Sequence, residues 1–126
     1  NFSAFIPPTS KLKTCYLIWR EPYMTVGDYT FINDMLEHAG FQNIFADKIR
    51  YPEITIRQLL LSKCQLLLLS SEPYPFKQKH ITELQIKLPG IKIILADGEI
   101  FSWYGSRLLQ APAYFQKLHQ QIKAID

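Results

Sequence analysis

Three short stretches hold most of the residues in this sequence that could engage a ligand. The first contains Trp19, Arg20, Tyr23 and Met24, the second Glu72, Tyr74 and Phe76, and the third Trp103, Tyr104 and Arg107. Tyr51, in a Tyr-Pro-Glu turn, can join them. Aromatic faces beside a few charged groups grip by stacking and by ion pairing, which suits a large, partly planar or polyanionic ligand. Rings in loops also cap cores. For any one ring the two roles are evenly matched, and it is the grouping that points to a site.

Bond chemistry finds less support. The sequence has no G-x-S-x-G elbow, no P-loop and no G-x-G-x-x-G. His38, His80 and His119 fall on three different predicted helices, so no histidine metal site is expected. Asp97, at a strand end, could mimic a phospho-acceptor, but that chemistry wants an acidic cluster after the first strand, where Glu21 stands alone. No catalytic residue, metal or cofactor is expected.

The elements that must position these loops follow from periodicity. Residues 14–19 are a β-branched and aromatic run and predict a strand. Asp28 or Thr30 can cap a helix over 29–39, whose apolar Phe31, Ile32, Met35, Leu36 and Ala39 recur at helical spacing. Gly40 stops it, with Phe41 as the hydrophobic partner of the cap. A short strand is predicted over 43–46. Thr55 can then cap a helix over 55–63, with Ile56, Leu59 and Leu60 turned inward and Arg57 and Gln58 outward. The continuous apolar run over 65–70 predicts a strand covered on both faces. A helix over 77–88, a buried strand over 91–96, a loop from Asp97 to Gly105 and a helix over 106–125, begun or kinked at Pro112, complete the chain. Strands alternating with helices predict an α/β fold, a three-layer α/β/α sandwich with a largely parallel sheet. Ligands of such sheets bind outside the carboxyl ends of the strands. All three loops fall at that edge.

Composition agrees with one folded domain. The chain has 126 residues, 48% apolar and 20% charged. Residues 1–13 read as a linker or the end of an inter-lobe segment, and 14–126 as the folded lobe. A net charge of +3 on scattered residues argues against a nucleic-acid surface, which concentrates its cations. The apolar run Leu66–Leu69 is far too short to span a bilayer. No signal peptide is expected in the chain as it stands, and its opening at Asn1 reads as that of a processed chain or a fragment. Cys15 and Cys64 read as buried free thiols, with a single disulfide as the alternative.

The order Trp19-Arg20-Glu21-Pro22-Tyr23, then Thr30 to Leu36, then Ala39-Gly40-Phe41-Gln42-Asn43-Ile44, then Tyr51-Pro52-Glu53-Ile54, resembles the C-terminal lobe of the helical-backbone substrate-binding proteins. These serve ABC importers of cobalamin, ferric siderophores and haem. The stretch from Asp97 to Arg107 is similar to a loop and helix start in the same lobe, so the resemblance runs from about Lys13 to the end. It implies one lobe of a two-lobed binding protein, with the N-terminal lobe and most of the joining helix missing. It also implies a periplasmic or membrane-anchored extracytoplasmic location, no catalysis, and an ABC permease as partner. Trp19, Tyr23, Tyr51, Tyr74, Trp103 and Tyr104 would then stack on or enclose the chelate, and Arg20 and Arg107 would pair with its acidic groups.

Two departures stand out. The family commonly has a second glycine where this chain has Phe41. A glutamate that meets permease arginines often stands six residues past the cleft aromatic; counted from Tyr51 that position is Arg57, and Glu53 is the nearest substitute. Two other readings of the same residues remain: an α/β protein-interaction module without a transport role, whose exposed rings meet a partner, and an enzyme on a flavodoxin-like fold.

Overall fold

The computed structural model describes residues 11–102 and 111–124. Among these residues ten elements follow one another: β1 (Leu12–Trp19), β2 (Met24–Thr25), α1 (Phe31–His38), β3 (Phe41–Asn43), α2 (Ile56–Leu61), β4 (Leu66–Ser70), α3 (Gln78–Lys87), β5 (Lys92–Ala96), α4 (Gly98–Ser102) and α5 (Ala111–Ala124). β4 lies between β1 and β5 and is parallel to both, in register from Thr14↔Leu66 to Leu17↔Leu69 on one side and from Leu66↔Lys92 to Ser70↔Ala96 on the other. The far edge of β1 is shared. Its first half pairs in parallel with β3, and its last residues pair antiparallel with β2.

The two-residue period of the strands sorts their side chains into two cores. Tyr16, Ile18, Leu66, Leu68, Ile94 and Ala96 meet Met35 and Leu36 of α1, Phe101 of α4, and Phe115, Leu118 and Ile122 of α5. Cys15, Leu17, Leu67, Leu69 and Ile93 meet Leu59 of α2 and Leu84 of α3. This is the expected three-layer sandwich, and β4 is buried along its whole length. Each fully buried leucine contributes about 1.5–3 kcal/mol of transfer free energy.

Local signals set the ends of the helices. Thr30 Oγ1 accepts the Asn33 backbone N–H at 3.1 Å and starts α1. Gly40, at φ 87°, takes the left-handed conformation that ends it. Thr55 and Gln58 form a reciprocal capping box at α2, with bonds of 3.1 and 2.8 Å.

The structure corrects the expected elements in four places. The strand expected at 43–46 lies at Phe41–Asn43, because the Asn43 side chain turns the backbone: its Oδ1 accepts Phe45 N–H at 3.0 Å and its Nδ2 donates to Val26 O and Asn33 Oδ1. The stretch from Asp97 begins not as a loop but as α4, capped by Asp97 Oδ1, which accepts Glu99 N–H at 3.0 Å. Leu60 does not turn inward; it is 54% exposed, because a six-residue helix offers the core one stripe, filled by Ile56 and Leu59. Gln58 stays on the half-exposed side of α2, where its side chain bonds back to Thr55. β5 forms an edge of the sheet path, with Leu95 partly exposed.

Cys15 and Cys64 are both free and buried. Burial holds the Cys15 thiol well above its ordinary value and pushes Cys64 up to about 11. Among the described residues no helix is long and apolar enough to cross a membrane.

Candidate functional site

The carboxyl ends of β1, β4 and β5 converge on one edge of the sheet, where the loops are fastened to each other by backbone. Tyr74 N–H donates to Ile18 O at 3.2 Å, tying the loop after β4 to the end of β1. Ser71 N–H donates to Ala96 O, and Gly98 N–H to Ser71 Oγ at 2.9 Å, tying it to the start of α4. Residues 48–54 run alongside 23–28, through Thr25 N–H to Pro52 O, Gly27 N–H to Arg50 O and Ile54 N–H to Tyr23 O. That pairing carries Tyr51 to the same edge.

An open cavity of about 400 Å³ lies there, lined by Ile18, Phe31, Ile32, Tyr51, Pro73 and Ser102. Its volume is in the range of small-molecule sites, and its wall is mostly hydrocarbon with one phenol and one hydroxyl. The residues come from β1, α1, the 48–54 segment, the loop after β4 and α4, so the cavity exists only once the sheet has assembled.

Beside it, towards α3, stands a cluster of rings and charges. Trp19 and Tyr74 meet edge to face, with centroids 5.6 Å apart and planes at 80°. Tyr74 also packs on Phe76 and His80 at 4.7 and 5.4 Å. His80 is buried, and its Nδ1 accepts the Lys77 backbone N–H at 2.9 Å. Arg20 Nη2 donates to both carboxylate oxygens of Glu83, at 2.7 and 2.6 Å, and Nη1 lies 3.3 Å from Glu21. The bond to Arg20 holds the Glu83 carboxyl below its usual range. Burial pushes the Tyr23 phenol up, opposed by its hydrogen bond to Arg20.

Of the residues singled out in the sequence, Tyr51 is in the cavity wall and half exposed, and Trp19, which follows Ile18 of that wall in the chain and packs on Tyr74, is 40% exposed. Arg20, Tyr23 and Tyr74 sit in the adjoining cluster and are partly covered. Trp103, Tyr104 and Arg107 lie outside the described residues. Glu53 and Arg57 are exposed, Glu53 opposite Met24 in an isolated bridge and Arg57 on α2. Sequence reasoning missed Glu83, His80, Phe31 and Ile32 as neighbours of the site. Glu83 reads as an ordinary helix-surface acid, and nothing local ties it to an arginine 63 positions earlier. Among the described residues no group of three or more His, Cys, Asp and Glu side chains is arranged to hold a metal.

No protein-family model and no curated protein matches the sequence. Solved structures match the fold. The periplasmic haem-binding protein HutB of Vibrio cholerae superposes with a TM-score of 0.69 at 14% identity, over 89% of this chain and 49% of that one. For the periplasmic haem-binding protein RhuT of Roseiflexus sp. RS-1 the values are 0.70, 19%, 91% and 47%. For the periplasmic vitamin B12-binding protein BtuF of Vibrio cholerae they are 0.67, 16%, 90% and 46%. The chain has the fold of one half of a periplasmic binding protein. It spans about half the length of these structures, and at such identities the likeness carries the architecture rather than any particular residue.

Proposed function

We propose that this chain is the C-terminal lobe of the substrate-binding component of an ABC-type importer for a metal chelate, a corrinoid, ferric siderophore or haem. It would work on the extracytoplasmic side, with a second lobe closing over the ligand, and it would do no bond chemistry. The observation that carries this reading is the coincidence of two independent features. The fold is that of half a binding protein, and the one edge where such a half would face its ligand holds an apolar cavity with exposed Tyr51 and Trp19 beside it. Trp19, Tyr23, Tyr51, Tyr74, Trp103 and Tyr104 are proposed to contact the chelate, Arg20 and Arg107 to lie near its acidic groups, and Glu53 and Arg57 to face a permease.

Titration of the chain with cobalamin, haemin and a ferric hydroxamate tests this, read by quenching of tryptophan fluorescence. With half of the enclosing surface missing, a Kd on the order of 1 mM, worth about 4 kcal/mol, is expected for the preferred chelate. Tyr51→Ala should weaken that binding further. Absence of saturable quenching by all three would overturn the reading and favour the interaction module, whose exposed rings would instead meet a protein.

A further inference from the structure

We infer that Glu83 is a specificity-determining residue: by holding Arg20 in an ion pair, it withdraws the cation that a carboxylate-bearing ligand would need and biases this edge towards the neutral, apolar face of a chelate. The inference rests on the reading of the edge as a chelate site.

Arg20 is the first cation after β1 and the natural partner for a ligand acid. Its guanidinium is already engaged. Nη2 donates to both oxygens of Glu83 at 2.7 and 2.6 Å, and Nη1 is 3.3 Å from Glu21. The two side chains keep 25% and 34% of their surface, so the pair is only partly shielded from water and rests on its two-point geometry. Glu83 projects from α3, a different element from the loop that carries Arg20, so the pair forms only in the folded lobe. A ligand carboxylate reaching Arg20 must therefore either displace Glu83 or sit beside it. Displacement exchanges one carboxylate bond for another and gains little, while juxtaposition places like charges together. The neighbouring cavity wall adds no charge of its own: Ile18, Phe31, Ile32, Tyr51, Pro73 and Ser102 present hydrocarbon, a ring and a hydroxyl. What this surface offers without competition is van der Waals and stacking contact.

Haemin and haemin dimethyl ester supply the test, being the same planar chelate with and without two carboxylates. Both are titrated, in one buffer, into the 126-residue chain and into Glu83→Gln, Arg20→Gln and the double variant, with tryptophan quenching as the readout. Wild type should bind the two forms within about threefold of each other. Glu83→Gln should bind haemin about tenfold more tightly than wild type, the scale of one freed charge-assisted hydrogen bond, with the ester unchanged. Unchanged ester binding also shows that the variant is folded. The double variant should lose the gain, and Arg20→Gln alone should show no gain for haemin over wild type. If both forms bind wild type and Glu83→Gln gains nothing for haemin, this inference fails while the chelate reading stands. If neither form quenches any of the proteins, the chelate reading fails and takes the inference with it.

Discussion

Tyr74 and His80 are joined through Oη and Nε2 at 3.2 Å, and the direction of that bond is set on the far side of the imidazole. There Nδ1 receives the Lys77 backbone N–H, which can only donate. Nδ1 is therefore unprotonated, Nε2 carries the hydrogen, and the ring donates to the phenol. His80 is neutral in this arrangement. Burial agrees, holding its pKa below 6.5, assisted by the charges of Arg20 and Lys79 and opposed by Glu83.

A pH dependence follows. Because the folded value lies below the unfolded one, the contribution of His80 is fully present above about 6.5 and is lost as pH falls towards and through the folded value. Melting temperature between pH 8 and pH 5 should therefore fall more for wild type than for His80→Gln, whose amide oxygen can still accept the Lys77 N–H but does not titrate. Parallel curves would show that His80 is not the group responsible. Because Tyr74 abuts Trp19, loss of the ring's bond should also move tryptophan emission over the same range.

Asn43 is the residue on which the turn after β3 depends. It is buried at 6% exposure and satisfies Val26 O, Asn33 Oδ1 and Phe45 N–H together. Asn43→Ala leaves those groups without their partner and should cost about 1–3 kcal/mol in urea denaturation. Asn33→Ala removes one of the three bonds and should cost less.

Gly27 lies where two backbones approach closely. A Cβ there would collide with the Lys48 carbonyl oxygen and stand 3.0 Å from Phe45 O. Gly27→Ala should destabilise the chain by about 1–3 kcal/mol through overpacking. It should also weaken chelate quenching beyond the stability loss, since the 48–54 segment that it displaces carries Tyr51. Equal stability with unchanged binding would mean that this segment yields freely.

Arg57 faces solvent on α2, so its replacement should change stability by less than about 0.5 kcal/mol. Against a permease the outcome differs. If the partner presents acid here, Arg57→Glu weakens docking and chiefly slows association, while Glu53→Arg has no effect. Stronger docking by Arg57→Glu would mean that the partner presents arginines, as the family resemblance implies.

Much of the layering was legible in the sequence for plain reasons. The unbroken run of leucines in β4 could only be a strand with both faces covered, and Thr30 and Thr55 stand where caps must stand. What escaped depends on contacts between distant residues or on side chains that act on the backbone. Asn43 in a strand-like run looked like a strand residue, because its role as a turn-maker needs Val26 and Asn33. Residues 48–54 show no strand period, since they are held by backbone bonds to 23–28 rather than by a buried face. At the site, the rings were visible by type, but Arg20 read as an open cation because its partner lies on a helix far along the chain.

The two buried thiols give this lobe a clock. Cys15 is fully covered within the sheet between β4 and the outer strands, Cys64 is nearly so, and burial disfavours the reactive thiolate in both. An alkylating reagent can reach Cys15, packed on the sheet face beneath α2 and α3, only when the lobe opens, so at high reagent concentration its labelling rate measures how often it does. A ligand bound across the carboxyl edges of β1 and β4 would hold those strands together. Slower alkylation in its presence would then report occupancy independently of tryptophan quenching.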